Sequence, residues 1–146
     1  MDEYYWKPED FEDVKSANSL ADILGISLRI LGRMPNPVVM VAGPISTGGR
    51  GTIQENLKVL EAEIQKVRAS GKTVFNQLPF EGKFGELALK SGMIYFSPVL
   101  EEVYRPIFNS GRLSKIYFIK NWETSTGAKW EYDMAGKLGI ERVLLD

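Results

Sequence analysis

The chain has 146 residues, enough for one domain with a real core, and its 44% hydrophobic and 25% charged residues are ordinary for a globular fold. Its formal net charge of −1 gives no electrostatic reason to expect a nucleic acid or an anionic membrane as partner. Cysteine and histidine are both absent, which excludes disulfides, thiolate or His-ligated metal sites, Ser-His-Asp triads and Cys-His pairs.

Acid–base or nucleophilic work therefore falls to carboxylates, Lys, Tyr, Ser or Thr. The acidic, aromatic stretch Met1-Asp2-Glu3-Tyr4-Tyr5-Trp6 does not read as a signal peptide, and no apolar run is long enough to span a bilayer. A cytoplasmic location is expected.

Residues 1–36 read as a helical extension, an acidic aromatic lead-in followed by a helix, ahead of a main domain over 37–146. Leu20, Ile23, Leu24, Ile26, Leu28, Ile30 and Leu31 form a dense apolar pattern. Gly25 interrupts it, and Gly32, Pro35 and Pro37 stop it. Such a helix packs on its own domain or on a second subunit.

The continuous apolar run Val38-Val39-Met40-Val41-Ala42 suits a strand buried on both faces. A glycine-rich loop over 43–51 follows, then a helix whose stripe is Ile53, Leu57, Leu60, Ile64 and Val67. Thr52 and Glu55 form a capping-box pattern at its start, and Gly71 suits its end. A strand is expected over 72–76 and short helices over 85–91 and 98–108. Another strand is expected over 115–119, a helix over 125–138 and a last strand over 141–145. This alternation predicts an α/β three-layer sandwich with a mainly parallel, Rossmann- or flavodoxin-like sheet of four or five strands. Ligands bind such sheets beyond the carboxyl ends of the strands, here the loops 43–51, 76–82 and 120–126.

The 43–51 loop carries four glycines with Ser46, Thr47 and Arg50 between a strand and a helix N-terminus. It is either an anion cradle, with Arg50 adding a two-pronged contact, or a turn that needs glycines for its backbone angles. It matches neither a Walker A sequence nor a Gly-x-Gly-x-x-Gly fingerprint. In the last helix, Glu131 shares its spacing with Ala128 and Ala135, so it sits on or beside the apolar face. Either it is buried and needs a reason to be there, or it reaches solvent or pairs with Lys129 or Arg142. Trp122, Trp130 and Tyr132 either stack on a ligand or belong to core and rim. Glu101 and Glu102 supply a second carboxylate or merely a solvated face.

Two motifs together resemble a known family. Val41-Ala42-Gly43-Pro44-Ile45-Ser46 after the first strand, with Asn76 and Pro79 after the second, is similar to the nucleoside 2-deoxyribosyltransferase superfamily. So is the run Asn121-Trp122-Glu123-Thr124-Ser125-Thr126-Gly127-Ala128-Lys129-Trp130-Glu131. It is nearest to a small branch with a Trp-Glu-x-Ser-x-Gly-Ala signature, and it also resembles deoxynucleoside 5′-monophosphate N-glycosidases. The resemblance implies that Glu131 attacks the anomeric carbon and holds a glycosyl-enzyme intermediate, which water or a second base resolves.

It further implies that Ser125 and Gly127 lie near the sugar or a 5′-phosphate, and that Gly43, Ile45, Ser46 and Arg50 form the first ligand loop. Asn76 and Trp122 complete the expected binding set. A nucleoside or nucleotide partner and a homo-oligomer follow, with no metal or organic cofactor. Family members carry acids in the helix before the third strand and at that strand's start, whereas Val103 to Lys115 here contains none. The residue that would serve the leaving base is thus unassigned, with Glu101 or Glu102 as substitutes if the helix is shifted. The expected function is N-glycosidic bond hydrolysis or transfer. The alternative is a catalytically silent nucleotide-binding or regulatory module.

Overall fold

In the computed structural model, which describes residues 5–45, 48–91 and 96–145, strand β1 (Val38–Ala42) is buried at every position. A strand of Val, Met and Ala hides both faces only where layers cover each side of its sheet. It pairs in parallel with β2 (Thr73–Val74) and β3 (Leu113–Phe118), and β3 pairs in parallel with β4 (Glu141–Leu144). The order β2-β1-β3-β4 makes a three-layer α/β sandwich with four parallel strands. The chain leaves β1 toward one edge and returns to its other side, so the strand order switches between β1 and β3.

Helix α3 (Ile53–Ala69) packs along β1 and β2, and α7 (Thr126–Lys137) along β3 and β4. The expected cap of α3 forms: Thr52 Oγ1 accepts the Glu55 N–H at 3.2 Å. Among the described residues no helix is long and apolar enough to cross a membrane.

The N-terminal segment holds two helices, α1 (Pro8–Ser16) and α2 (Leu20–Arg33). The first, with Pro8 in its opening turn, stood inside the expected lead-in. The second runs unbroken through Gly25, where an interruption was expected. A helix-interior glycine costs about 1 kcal/mol, and the buried stripe Leu20, Ile23, Ile26, Ile30 and Leu31 outweighs it. Arg112 Nη2 donates to the Leu31 and Met34 carbonyls at 2.7 and 2.8 Å, supplying partners at the C-terminal end of α2. The 20–31 stripe is therefore covered within its own chain.

Asp10 ties α1 to α2. Its carboxylate is fully buried and accepts from Arg29 at 2.7 Å, from Arg33 at 2.6 Å and from the Lys7 backbone at 2.8 Å. Burial alone raises its pKa, but the Lys7, Arg29 and Arg33 hydrogen bonds and the charge of Arg33 together hold it below the usual carboxylate value. Trp6 closes the seam, its ring 4.8 Å from Phe80 and its Nε1 donating to the Asn76 carbonyl at 3.1 Å.

Between β2 and β3, a 3-10 turn (Leu78–Phe80) leads into α4 (Glu81–Ser91), which begins at Glu81 rather than Gly85. A single helix was expected over 98–108. The chain instead runs through α5 (Phe96–Val99), a π-helical turn (Leu100–Tyr104) and α6 (Arg105–Asn109). Such π turns recur at functional sites because the extra residue re-aims neighbouring side chains.

Candidate active site

β1 and β3 end side by side at Ala42 and Phe118. A cavity of about 50 Å³ lies just beyond them, at the switch in strand order. Gly43 and Ile45 border it from the loop after β1, Gln77 from the loop after β2, and Ser125, Gly127 and Glu131 from α7. Glu81 of α4 and Tyr104 of the π turn complete its polar lining.

Ser125 caps α7, its Oγ accepting the Ala128 N–H at 3.1 Å. This cap starts the helix so that Ala128, Glu131 and Ala135 turn inward together. Glu131 is only 8% exposed, which settles the choice left open by its spacing. Neither proposed cation reaches it: Lys129 is exposed, and the Arg142 guanidinium lies 4.2 Å over the Tyr132 ring. Burial, and then the negative charge of Glu81, push the Glu131 carboxyl up to about 8. Glu131 therefore keeps its proton at neutral pH.

Glu81 is the second acid of this cavity, and no spacing argument singled it out. It is 8% exposed and is the first residue of α4, where the helix dipole favours a negative charge. The Tyr104 hydroxyl donates to its Oε2 at a long 3.4 Å. The two glutamates thus differ in environment: Glu81 sits at a helix start beside a hydroxyl donor, and Glu131 sits in an apolar wall. The signal that finds Glu81 is the one that flagged Glu131, a carboxylate set among apolar helix positions, here Phe80, Phe84 and Leu87.

Gln77 is the third buried polar group and was also missed. It is 2% exposed, and its Nε2 donates to the Val41 carbonyl at 2.9 Å. A carbonyl only accepts, so this bond fixes the amide orientation and leaves Oε1 as an acceptor. Among the described residues Oε1 has no hydrogen-bond partner.

Of the sequence-derived site residues, Gly43, Ile45, Ser125, Gly127 and Glu131 border the cavity. Ser46 lies outside the described residues. Asn76 turns the other way, into a surface groove with Phe11 and Pro79, and its Oδ1 accepts the Leu78 N–H at 3.1 Å. Gln77, at the start of the 3-10 turn, takes the inward place instead. Trp122 stacks on Tyr132, with ring centroids 4.3 Å apart, and packs on Phe118, away from the cavity. Trp130 packs on Phe108 and donates to Glu101 at 3.3 Å. Glu101 pairs with Arg105 at 2.7 Å on the solvent side and Glu102 is exposed, so neither supplies the missing acid.

The glycine loop is held inward rather than open to an anion. Gly49 N–H donates to Thr124 Oγ1 at 2.7 Å, Arg50 N–H to Asn56 Oδ1 at 2.8 Å and Gly51 N–H to the Gly48 carbonyl at 3.2 Å. The N–H groups that would cradle a phosphate at 49–51 already have partners. Arg50 itself is exposed and borders a separate small recess with Lys120 and Asn121. Gly48 and Gly49 have positive φ, and a Cβ at either would strike Thr124 or Asn56. Gly43 is fixed by packing: a Cβ there would sit 2.5 Å from Ile119 Cγ1. Among the described residues no group of three or more carboxylates could hold a metal ion.

The chain belongs to the family described as Domain of unknown function (DUF4406), whose profile matches residues 37–144. No curated protein and no solved structure matches it.

Proposed function

We propose that this protein cleaves, or transfers across, the N-glycosidic bond of a nucleoside or nucleoside 5′-monophosphate. The observation that carries the reading is a pair of buried glutamates, Glu131 and Glu81, sharing one cavity at the switch in strand order. The negative charge of Glu81 helps hold the proton on Glu131. Glu131 holds a proton beside a second carboxyl group, and a retaining glycosidic cleavage uses two such groups in different roles.

With a nucleoside bound, positive charge developing on the sugar favours the carboxylate form of Glu131, and the proton passes to Glu81. Glu131 then attacks C1′ as the C1′–N bond breaks, and the departing base takes the proton from Glu81. Next, Glu81 accepts a proton from water, whose oxygen displaces Glu131 from C1′. The sugar leaves with its configuration retained and the pair recovers its single proton. A second base in place of water gives transfer. The cavity has room for the reacting atoms and a few waters, so seating the whole ligand requires its walls to move apart.

Base release from a panel of nucleosides and 5′-monophosphates tests the proposal. Glu131→Ala should abolish turnover, and Glu81→Gln should lower it by about 10²- to 10⁴-fold, the usual contribution of an acid–base group. Failure of every substrate, or equal activity in Glu131→Ala, sinks the reading. A second reading, a silent nucleotide-binding module, draws on the same proton, because a protonated Glu131 can donate to a ligand without reacting. It predicts that nucleotides raise the melting temperature without turnover, and that Glu131→Gln tolerates binding.

A further inference from the structure

Gln77 carries a message about the ligand that the two glutamates do not. Gln77 lines the same cavity, and its Oε1 is a buried acceptor without a partner among the described residues. A buried acceptor left without a donor is destabilising until a ligand supplies one. Its direction is not adjustable, because the Nε2 bond to the Val41 carbonyl pins the amide to the end of β1. Gln77 and Glu131 line the same cavity, so a ligand bonded at Glu131 brings its neighbouring groups toward Gln77. In a nucleoside reacting at C1′, the nearest such donor is the hydroxyl on the adjacent sugar carbon.

We propose that Gln77 is a specificity-determining residue that accepts a hydrogen bond from the 2′-hydroxyl of the substrate, so that the site takes ribosyl rather than 2′-deoxyribosyl compounds. The inference rests on the N-glycosidic reading of the site and narrows it. A hydrogen bond to the 2-hydroxyl strengthens as the sugar approaches its oxocarbenium-like transition state. A site built to bond a hydroxyl rejects analogues that lack it far more strongly than an apolar pocket rejects a size change.

The experiment compares kcat/KM for adenosine, cytidine and their 5′-monophosphates with the matching 2′-deoxy compounds, in wild type and in Gln77→Leu. Wild type should favour the ribo compounds by about 10²-fold or more, and Gln77→Leu should erase most of that ratio by losing far more ribo than deoxy activity. If Gln77 serves only to hold Val41, the variant lowers both substrates together and the ratio survives. That outcome, or a wild type that cleaves deoxy compounds equally well, overturns the inference while leaving N-glycosidic cleavage standing. If nothing is cleaved, the same pairs are titrated by calorimetry into Glu131→Gln. Ribo-selective binding lost in the Gln77→Leu/Glu131→Gln double variant then upholds the role of Gln77 and sinks the cleavage. Binding without selectivity, or no binding, overturns both. The wild-type ratio stands as a test even if Gln77→Leu fails to fold.

Discussion

Replacing Glu131 by Gln should stabilise the protein, and by more as the pH rises. Glutamine has nearly the shape of a protonated glutamate and cannot ionise. In the folded chain the carboxyl titrates at about 8, against 4.5 for an ordinary glutamate. Below the ordinary value it is protonated folded and unfolded, and titration makes no difference to stability. Between the two values the unfolded chain releases the proton while the folded chain keeps it, so wild type loses about 1.4 kcal/mol per pH unit. The loss is complete above the folded value. Linkage then gives an advantage to Glu131→Gln of about 1 kcal/mol at pH 5 and about 4 kcal/mol at pH 8.

Urea unfolding of both proteins at half-unit steps from pH 5 to 8.5 measures this directly, because the difference between them cancels groups that titrate alike in both. A difference that stays flat with pH would refute the burial argument. A difference that falls with rising pH would mean that the folded state stabilises the Glu131 charge, reversing the sign.

Further outcomes follow from the same geometry. Glu81→Gln removes the like charge but not the burial, so the Glu131 carboxyl should titrate lower than in wild type yet still above 4.5; carbon-13 NMR of labelled glutamate reads it. Asp10→Ala should cost about 3 kcal/mol by removing the carboxylate of Arg33 and one of the two that Arg29 holds at the α1–α2 seam, leaving Arg29 only Asp13. Because the Asp10 pKa is lowered on folding, its contribution is present above the ordinary carboxylate range and is lost as the pH falls through the folded value, so acid denaturation of Asp10→Asn should show a weaker pH dependence. Asn56→Ala removes the partner of the Arg50 N–H and the donor to the Ile45 and Gly48 carbonyls; hydrogen exchange should speed up over 48–51, with a stability loss of about 2 kcal/mol. Gly43→Ala forces Ile119 to shift, and a melting-temperature loss equivalent to about 1–3 kcal/mol is expected.

The parts of the molecule with clean periodicity were legible in the sequence. The apolar run of β1, the cap of α3 with Leu60, Ile64 and Val67 of its stripe, and the Ser125 cap of α7 lie where pattern and capping chemistry put them, whereas Ile53 of that stripe is exposed and Asn56 is buried in the first turns of the helix. The ladder of β2 is shorter than the expected 72–76 strand because it pairs with β1 only at Thr73 and Val74, with one further bond from Phe75 to Val39. The segment from 80 to 113 resisted reading because a π turn breaks its period and because Glu81 starts a helix directly after a 3-10 turn.

The site was half legible for a related reason. Glu131 shares a helix with its own cap and small neighbours, so spacing put it on or beside the apolar face, and its burial decided between the two. Glu81 carried the same signal but fell outside the helix expected from Gly85, and Gln77 depends on which way the chain turns after a two-residue strand, which no local pattern encodes. The glycines of 48–51 signalled backbone geometry rather than an open anion site, since Asn56 and Thr124 occupy the N–H groups at 49 and 50.

A covalent bond from Glu131 to the sugar is read by rapid acid quench of a cleaving mixture followed by peptide mass spectrometry. A pentosyl ester should appear on the peptide containing Glu131 and be missing in Glu131→Ala. An adduct on another residue, base release without any adduct and with inversion at C1′, or no base release at all would contradict it.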